Sequence, residues 1–421
     1  ENGGPMTGTQ GGTKTFQKNV NLSVVLHTVR RRGPVSRIDL ARILGLNRST
    51  ITHIISYLLE KGIVCVDSEG EPSNLGGRKP VYLRINGGFG AVAGLEMQYS
   101  GCRAVLFALD GRELMRRSIG VEGNGYGPEC AGDDRPFERR CLHALREMQK
   151  EAHGLGYSLI GAGVGVPGIV DPFSGRIIRS ETISLQNFDF ARRIDSAVSF
   201  PVLVENDANC CALRKLLARE GEGLENFLYL LPKFNTSNSS ITSERVVGIG
   251  MGIVTDSKIY HGNNFAAGEF RSVFWKQGNH EQVNLKSENL LKIEEDRHIL
   301  RRFCREVALN LTPIVSVLNP GRIYIGGDAG RYYDVMIDVI ESELHERYIG
   351  LKEQNCELVP ADYDKFDVAR GGGTLVFEQL FGLPDLRRVD VYYSLDWETV
   401  LQNAWPAEER LAAVRHDSVV L

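Results

Sequence analysis

A pattern of helix ends near the N-terminus constrains the fold of this chain more than any other feature. Gly33 and Pro34 end a first helix whose apolar residues recur at helical spacing. Ser36, followed three residues later by Asp39, has the spacing of a capping box that begins a second helix. Gly45 then supplies a tight turn before a third helix. Two short helices joined by a glycine turn, behind a first helix, indicate a helix-turn-helix domain.

The third helix, which we expect to begin after Asn47 and to end at Gly62, has two different faces. Its apolar stripe consists of Ile51, Ile54, Ile55, Leu58 and Leu59. The opposite face is polar near the start of the helix, which is the end that a recognition helix presents to base edges in the major groove. We therefore expect DNA contacts from Arg48, Ser49, Thr50, Thr52 and His53.

Two strand patterns follow, over residues 63–67 and 81–85, and predict a hairpin with a wing loop over 69–80. In this loop Arg78 and Lys79 stand beside glycines and can enter a minor groove or bind phosphates. Residues 14–86 carry 12 Lys or Arg against 5 Asp or Glu, although the whole chain has a net charge of -4. This asymmetry favours a basic nucleic-acid reader on an acidic regulatory body. Charge alone leaves open a merely solvated basic face.

The ends of the chain carry weaker signals. Residues 1–13 are rich in Gly, Thr and Gln without an apolar face, so we expect a disordered tail. Residues 383–421, with Trp397 and Trp405, predict a helical extension that packs on one of the domains. No apolar run reaches the roughly 20 residues that cross a bilayer, and no secretory pattern is present, which favours a cytoplasmic protein. The 8 cysteines are scattered, as free thiols in a reducing compartment are.

Further motifs run through the rest of the chain in a fixed order. They are the winged-helix segments at 32–42, 45–52 and 77–80, GVGVPGIVD at 163–171, PVLVENDAN at 201–209, GIGMG at 248–252, AGE at 267–269 and NPGRIYIGG at 319–327. Their order and spacing resemble the ROK family, which groups transcriptional repressors with sugar kinases. The resemblance covers about residues 20–380.

The resemblance implies that residues 87–382 form two actin-like or ribonuclease-H-like lobes with a cleft between them. Short apolar runs between helical stretches fit α/β layers independently of the resemblance, at 92–95, 104–109, 161–166 and 202–204. We therefore expect an α/β protein with a winged helix-turn-helix domain at 14–86, a two-lobed ROK domain at 87–382 and an extension at 383–421.

The resemblance also implies a sugar site in the cleft. The position of Asp207 is that of the ROK kinase base, which takes a proton from the attacking sugar hydroxyl. Asn206 and Glu269 match residues that bind sugar hydroxyls, and Gly168 matches a glycine that lets the backbone approach the ring. An alternative remains in which Asn206 and Asp207 only cap the helix that follows them.

Two departures from the family pattern change what the cleft is expected to do. ROK kinases hold phosphates with an Asp-x-Gly-Gly-Thr loop, whereas Glu96, Gln98, Tyr99 and Ser100 occupy the aligned positions here. Side chains in place of two glycines obstruct the close backbone approach that a polyphosphate needs. We therefore expect no ATP cofactor, no enzyme activity and a vestigial role for Asp207.

The second departure removes the family's zinc ligands. Arg271 and Ser272 follow the Glu269 motif in place of the expected histidine, and no cysteine lies between Cys211 and Cys304. A lone His280 cannot complete a four-ligand site, so we expect no metal. Arg271 suggests the hypothesis of an anionic ligand, such as a sugar acid or sugar phosphate. A surface or interdomain salt bridge is the alternative role for this arginine.

Together these features predict a sequence-specific transcriptional regulator, in particular a repressor, that responds to a sugar or sugar-derived ligand. Its expected partners are a double-stranded DNA operator, the small molecule and further copies of the chain in a homodimer or homotetramer. Two alternatives remain. The first is a ROK sugar kinase with an accessory DNA-binding domain, and the second is a regulator with a vestigial pocket that responds to a partner protein.

Overall fold

A computed structural model describes residues 10–70, 79–98, 101–120, 134–194, 197–218, 225–235, 246–344, 355–362, 364–383 and 397–403. Arg78, Tyr99, Ser100 and Trp405, which the sequence patterns singled out, lie outside these ranges.

The described residues form helices and strands in the following order. The helices are α1 (Gln10–Arg32), α2 (Arg37–Leu44), α3 (Arg48–Glu60), α4 (Arg135–Gly154), α5 (Phe190–Ile194), α6 (Asp207–Leu217), α7 (Ser287–Leu290), α8 (Arg297–Leu318), α9 (Tyr333–Glu343), α10 (Asp367–Phe381) and α11 (Trp397–Asn403). The strands are β1 (Val35–Ser36), β2 (Val64–Glu69), β3 (Val81–Ile85), β4 (Ala91–Gln98), β5 (Gly101–Ala108), β6 (Glu113–Gly120), β7 (Leu159–Val166), β8 (Ile169–Asp171), β9 (Arg176–Ser180), β10 (Leu185–Asp189), β11 (Val202–Asn206), β12 (Phe227–Phe234), β13 (Val247–Thr255), β14 (Lys258–Ile259), β15 (Arg322–Ile325) and β16 (Glu357–Pro360). None of these helices is long and apolar enough to span a bilayer.

Helices α1 to α3 and the sheet β1-β3-β2 form the predicted winged helix-turn-helix fold. The Ser36 hydroxyl accepts a hydrogen bond from the Asp39 backbone N–H at 3.2 Å and donates one to the Asp39 carboxylate at 2.7 Å. Gly45 ends α2 in the left-handed region with φ of 63°. The α3 stripe is buried as expected, apart from the half-buried Leu59, and packs beneath the hairpin.

Two local predictions require correction. Helix α1 begins at Gln10, so residues 10–13 belong to this helix and not to the disordered tail. A helix that tertiary packing has already nucleated extends at low cost, because each added residue brings one further hydrogen bond. Asn47 occupies the N-cap position of α3 as expected, but its side chain makes no capping hydrogen bond.

The part of the chain that follows the winged domain consists of two lobes, each built on a five-stranded sheet, which confirms the predicted α/β architecture. The first sheet has the order β11-β7-β4-β5-β6, and α4 covers one of its faces. The second has the order β14-β13-β12-β15-β16 and is packed by α8 and α9. In each sheet the central strands run parallel and a neighbouring hairpin runs antiparallel. A small antiparallel sheet, β10-β9-β8, extends the first lobe.

Helix α10 lies directly on the backbone of the first sheet, because glycines meet at the contact. A Cβ atom on Gly163 of β7 would lie 1.9 Å from the Gly372 carbonyl oxygen. A Cβ on Gly94 of β4 would lie 1.9 Å from the Ala369 carbonyl oxygen. Only glycine permits this separation, so the position of α10 is fixed by backbone contact.

We expect Gly163→Ala to lower the free energy of unfolding by about 1–3 kcal/mol or more, because the new methyl group must push α10 off the sheet. Urea denaturation of the full chain measures this change. Gly120→Ala on β6 is the matched control, since no atom lies within 4 Å of its added Cβ. Equal stability of the two variants would contradict the backbone contact.

Candidate functional site

A cleft between the two lobes, with a volume of about 500 Å³, contains every residue that the sequence predicted for ligand binding. This volume lies within the range of small-molecule sites. The predicted residues that line it are Gly168, Asn206, Asp207, Glu269 and Arg271. They come from the β7–β8 turn, from the junction of β11 and α6, and from the segment that follows β14. The structure therefore brings together residues from three separate segments of the chain.

A buried cluster of charges forms one wall of this cleft. The Lys233 ammonium lies 2.7 Å from Glu96 Oε1 and 2.8 Å from Asp207 Oδ2. The Glu96 side chain is 1% exposed, that of Asp207 7% and that of Lys233 23%. Gln98 donates a hydrogen bond to Glu96 Oε1 at 2.9 Å, and Arg103 reaches Glu96 Oε2 at 3.3 Å.

Electrostatics keep Glu96 and Lys233 charged despite their burial. Burial alone would raise the pKa of Glu96, but Lys233 and Arg103 outweigh it and hold that pKa below its usual value. Burial would likewise lower the pKa of Lys233, yet Asp207 and Glu96 raise it well above its usual value. The ammonium therefore stays protonated and keeps its contact with the Asp207 carboxylate.

Asn206 caps α6 and also holds the glycine turn of the cleft. Its side-chain oxygen accepts a hydrogen bond from the Asn209 backbone N–H at 3.1 Å, and its side-chain nitrogen donates to the Gly168 carbonyl at 2.9 Å. Gly168 has φ of 107°, and an added Cβ would lie 2.3 Å from the Arg179 carbonyl oxygen. Asn206 therefore does cap the helix that follows it, as the alternative interpretation proposed, and its side chain also positions Gly168.

Glu269 and Arg271 lie on the exposed rim of the cleft. Glu269 pairs with Gly250 of β13 through an isolated β-bridge. The Arg271 guanidinium stacks over the Trp275 ring at 4.7 Å from its centroid. The stacking holds the cation beside the cleft, where it can meet a ligand.

The residues that follow the Glu269 motif, where the family resemblance implied zinc ligands, form a hydrogen-bonded loop. Gln282 is buried; its side-chain oxygen accepts from the Ile249 N–H at 2.7 Å, and its nitrogen donates to the Ile249 and Phe270 carbonyls at 3.0 and 2.7 Å. The neighbouring Glu281 carboxylate accepts from Val246 and Val247 backbone N–H groups. Amide and backbone groups of this kind do not fit the thiolate and imidazole preference of structural zinc.

The sequence patterns do not point to a second buried pair beside the cleft. His261 Nε2 lies 2.8 Å from Glu205 Oε2, and the Asn209 amide donates to the other oxygen of Glu205 at 3.0 Å. Phe173 and Phe265 lie against the His261 ring. The sequence patterns do not point to Lys233 either. A single lysine near the end of a long apolar strand is its one sequence signal, and a weak one.

The predicted DNA-contacting face is exposed on the winged domain. Arg48, Ser49, Thr52 and His53 are exposed, whereas Thr50 is half-buried beside them. The Thr52 hydroxyl donates to the Arg48 carbonyl at 2.8 Å, which turns it towards the helix backbone. Lys79 is exposed at the base of the wing, and the predicted contact of Arg78 lies outside the described residues.

Comparisons with known proteins agree with this architecture. A model of the ROK family matches residues 135–272. The xylose repressor of Lactiplantibacillus pentosus is 24% identical over 401 residues, which cover 89% of this chain and 96% of the repressor.

Among solved structures, a ROK family transcriptional regulator, described as a homologue of the E. coli MLC protein, has a TM-score of 0.66 and 17% identity. The match covers 95% of this chain and 99% of that one. A ROK family glucokinase from Streptomyces griseus, in complex with glucose and AMPPNP, has a TM-score of 0.52 and 16% identity over 68% of this chain and 99% of the kinase. The chain is thus similar to ROK family proteins in a sequence match over residues 135–272 and in its two-lobed fold.

Proposed function

We propose that the chain is a sequence-specific DNA-binding transcriptional repressor. A sugar or sugar-derived ligand in the cleft would change its DNA affinity without phosphoryl transfer. The observation that carries this proposal is helix α10, which begins in the cleft and ends on helix α1 of the winged domain. Double-stranded operator DNA in the cytoplasm would be the partner, bound by a homodimer or homotetramer.

The comparisons support the regulatory half of the proposal. The named repressor relative aligns over nearly the whole of both chains, the winged domain included. The ROK regulator structure likewise covers nearly the whole chain, whereas the glucokinase covers only about two thirds of it. These matches favour a protein that is not an enzyme.

The first turn of α10 forms part of the cleft wall. Asp364, Lys365, Asp367 and Val368 line the cleft. Asp367, the first residue of the helix, is buried, accepts a hydrogen bond from the Tyr229 hydroxyl at 2.6 Å and pairs with Arg214 of α6. A ligand that moves the two lobes relative to each other would therefore act on this end of the helix.

The last turn of α10 contacts the winged domain. It lies about 22 Å from the first turn of the helix, given a rise of about 1.5 Å per residue. The Arg30 guanidinium of α1 stacks on Phe377 and Phe381 at 4.2 and 4.7 Å from the ring centroids. His27 Nδ1 lies 3.0 Å from the Phe381 carbonyl oxygen. Burial raises the pKa of Glu378, on the same turn, to about 7 against the opposing effect of Arg30.

One hydrophobic cluster joins the two domains at this contact. It contains the α1 and α3 residues Leu26, Val29 and Ile55 together with Val376 and Leu380 of α10. The extension packs there too, because Trp397 donates a hydrogen bond to the Leu380 carbonyl at 2.9 Å.

A helix fixed at both ends and seated on backbone glycines can transmit a displacement from cleft to DNA-binding face. Only a ligand that binds two arrangements with different affinity drives such a change.

The charge cluster explains why binding would not lead to phosphoryl transfer. A general base must be free to accept the proton of the attacking hydroxyl. Asp207 instead has one carboxylate oxygen on the Lys233 ammonium and the other on the Ala208 backbone N–H at 2.9 Å. Both carboxylate oxygens of Asp207 therefore already accept a hydrogen bond from a protein donor. The sugar-kinase alternative would need this ion pair to open.

Thermal stability of the full chain, measured across D-xylose, D-glucose, D-glucuronate and glucose 6-phosphate with and without Mg-ATP, tests the ligand half of the proposal. Binding to the folded state raises the midpoint by mass action. We expect a shift with at least one sugar and none with Mg-ATP. A shift with Mg-ATP would support the kinase alternative, and no shift with any compound would support the partner-protein alternative.

Arg271→Ala in the same panel tests the hypothesis of an anionic ligand. If Arg271 contacts the acidic group, the variant loses the shift with D-glucuronate or glucose 6-phosphate and keeps any shift with neutral sugars. Unchanged shifts with all four compounds would assign Arg271 a surface role, with its guanidinium held by Trp275.

A further inference from the structure

We propose that Lys233 is a built-in cation of the cleft, whose ammonium occupies the place of a divalent metal ion between the Glu96 and Asp207 carboxylates. It would keep metal ions and metal-bound nucleotides out of a cleft that binds ligands without turning them over. This inference rests on the proposed function only for its biological purpose, since the geometry stands independently of DNA or sugar binding.

The three side chains come from different parts of the fold. Glu96 lies near the end of β4 and Asp207 begins α6, both in the first lobe, whereas Lys233 lies near the end of β12 in the second lobe. The two carboxylates are almost fully buried, and the ammonium contacts both at hydrogen-bond distance. The lysine therefore joins the lobes across the base of the cleft.

The space between the carboxylates is suited to one cation. Two carboxylates that approach a common point, buried from water, form the kind of hard oxygen site that Mg²⁺ or Ca²⁺ occupies in proteins. Here the ammonium lies at that point. Together with Arg103, which contacts the outer oxygen of Glu96, it brings the charge of the four groups to zero. A divalent ion cannot enter without displacing Lys233.

Removal of the ammonium would leave two buried carboxylates facing each other, with Arg103 on the outer oxygen of Glu96 as the remaining counter-charge in the cluster. Such a pair is relieved either by protonation of one carboxylate or by capture of a cation. Lys233→Met keeps most of the volume of the side chain while removing its charge, so this variant should gain a divalent-ion site that the parent chain lacks.

The test is thermal stability of the full-length parent and Lys233→Met, titrated with MgCl₂, CaCl₂ and MnCl₂ against NaCl at equal ionic strength. We expect a lower midpoint for Lys233→Met without divalent ions and a saturable rise with at least one of them, whereas the parent does not respond. Lys365→Met is the matched control, because Lys365 also lines the cleft but stacks over Phe366 at 5.4 Å. It should behave as the parent does.

The double variant Glu96→Gln with Lys233→Met keeps the test decisive if the single variant does not fold. Loss of one carboxylate restores the charge balance, so the double variant should fold and should show no saturable response to divalent ions. A Lys233→Met protein that is folded and indifferent to all three ions would overturn the proposal, as would a parent chain that binds them. Neither result bears on the proposed function, because no sugar or DNA enters the experiment.

Discussion

Arg48→Ala is expected to weaken binding to the preferred DNA sequence by about 5- to 150-fold. This range corresponds to the loss of about 1–3 kcal/mol from a bidentate contact between arginine and a guanine edge. Arg48 is the first residue of α3 and is exposed on the face opposite the buried stripe, which is where a recognition helix meets bases. Fluorescence anisotropy with a duplex selected from a random pool measures the change.

The effect on base preference distinguishes the loss of a base contact from a general loss of positive charge. Arg48→Ala should also lose discrimination at one base position. Lys79→Ala should instead weaken binding to all sequences and reduce the salt slope by about 0.9 for each phosphate that the variant no longer neutralises. Arg305→Ala on α8, in the second lobe, removes the same charge far from the winged domain and serves as the control. Arg48→Ala with unchanged affinity and unchanged base preference would show that α3 does not read DNA.

Arg30→Ala is expected to reduce the effect of bound sugar on DNA affinity. In the parent, the sugar should change DNA affinity by the roughly 5- to 150-fold that is typical of coupled sites. In the variant this factor should fall towards one, because the guanidinium no longer ties α1 to Phe377 and Phe381 at the end of α10. Sugar binding and DNA binding measured separately should persist, since Arg30 lies neither in the cleft nor on the exposed face of α3.

Arg32→Ala is the matched control for Arg30→Ala. Arg32 is exposed at the end of the same helix, so its removal takes away the same charge without touching α10. Arg30→Lys adds a graded test, because an ammonium keeps the charge but does not stack on two rings as a planar guanidinium does. If Arg30→Ala keeps the full effect of sugar on DNA affinity, the signal reaches the winged domain by another route.

The sequence predicted the elements whose signals are local and missed those that long-range packing decides. Ser36, Asp39 and Gly45 act within a few residues of their own positions, so the boundaries of α2 could be read directly. Gly371, Gly372 and Gly373 have low helix propensity, yet they lie within α10 because contact with the first sheet outweighs propensity.

The residues of the candidate site also fall into those that the sequence predicted and those that it did not. Gly168, Asn206 and Asp207 were found through motifs that recur in a known family, and the structure places them together in the cleft. Lys233 belongs to no motif, and its partner Glu96 lies 137 residues earlier in the chain. The contact of His27 with Phe381 spans 354 residues. Pairs of this kind are created by the fold, so only the structure identifies the contacts of Lys233 and the helix that connects the cleft to the winged domain.

The most direct test of ligand-controlled DNA binding is the affinity of the full chain for its selected duplex, with and without the sugar that raises its thermal midpoint. We expect saturating sugar to change the Kd for DNA by about 5- to 150-fold. By reciprocity, saturating DNA should change the sugar Kd by the same factor. A sugar that binds measurably in the cleft and leaves the Kd for DNA unchanged would contradict the proposed function.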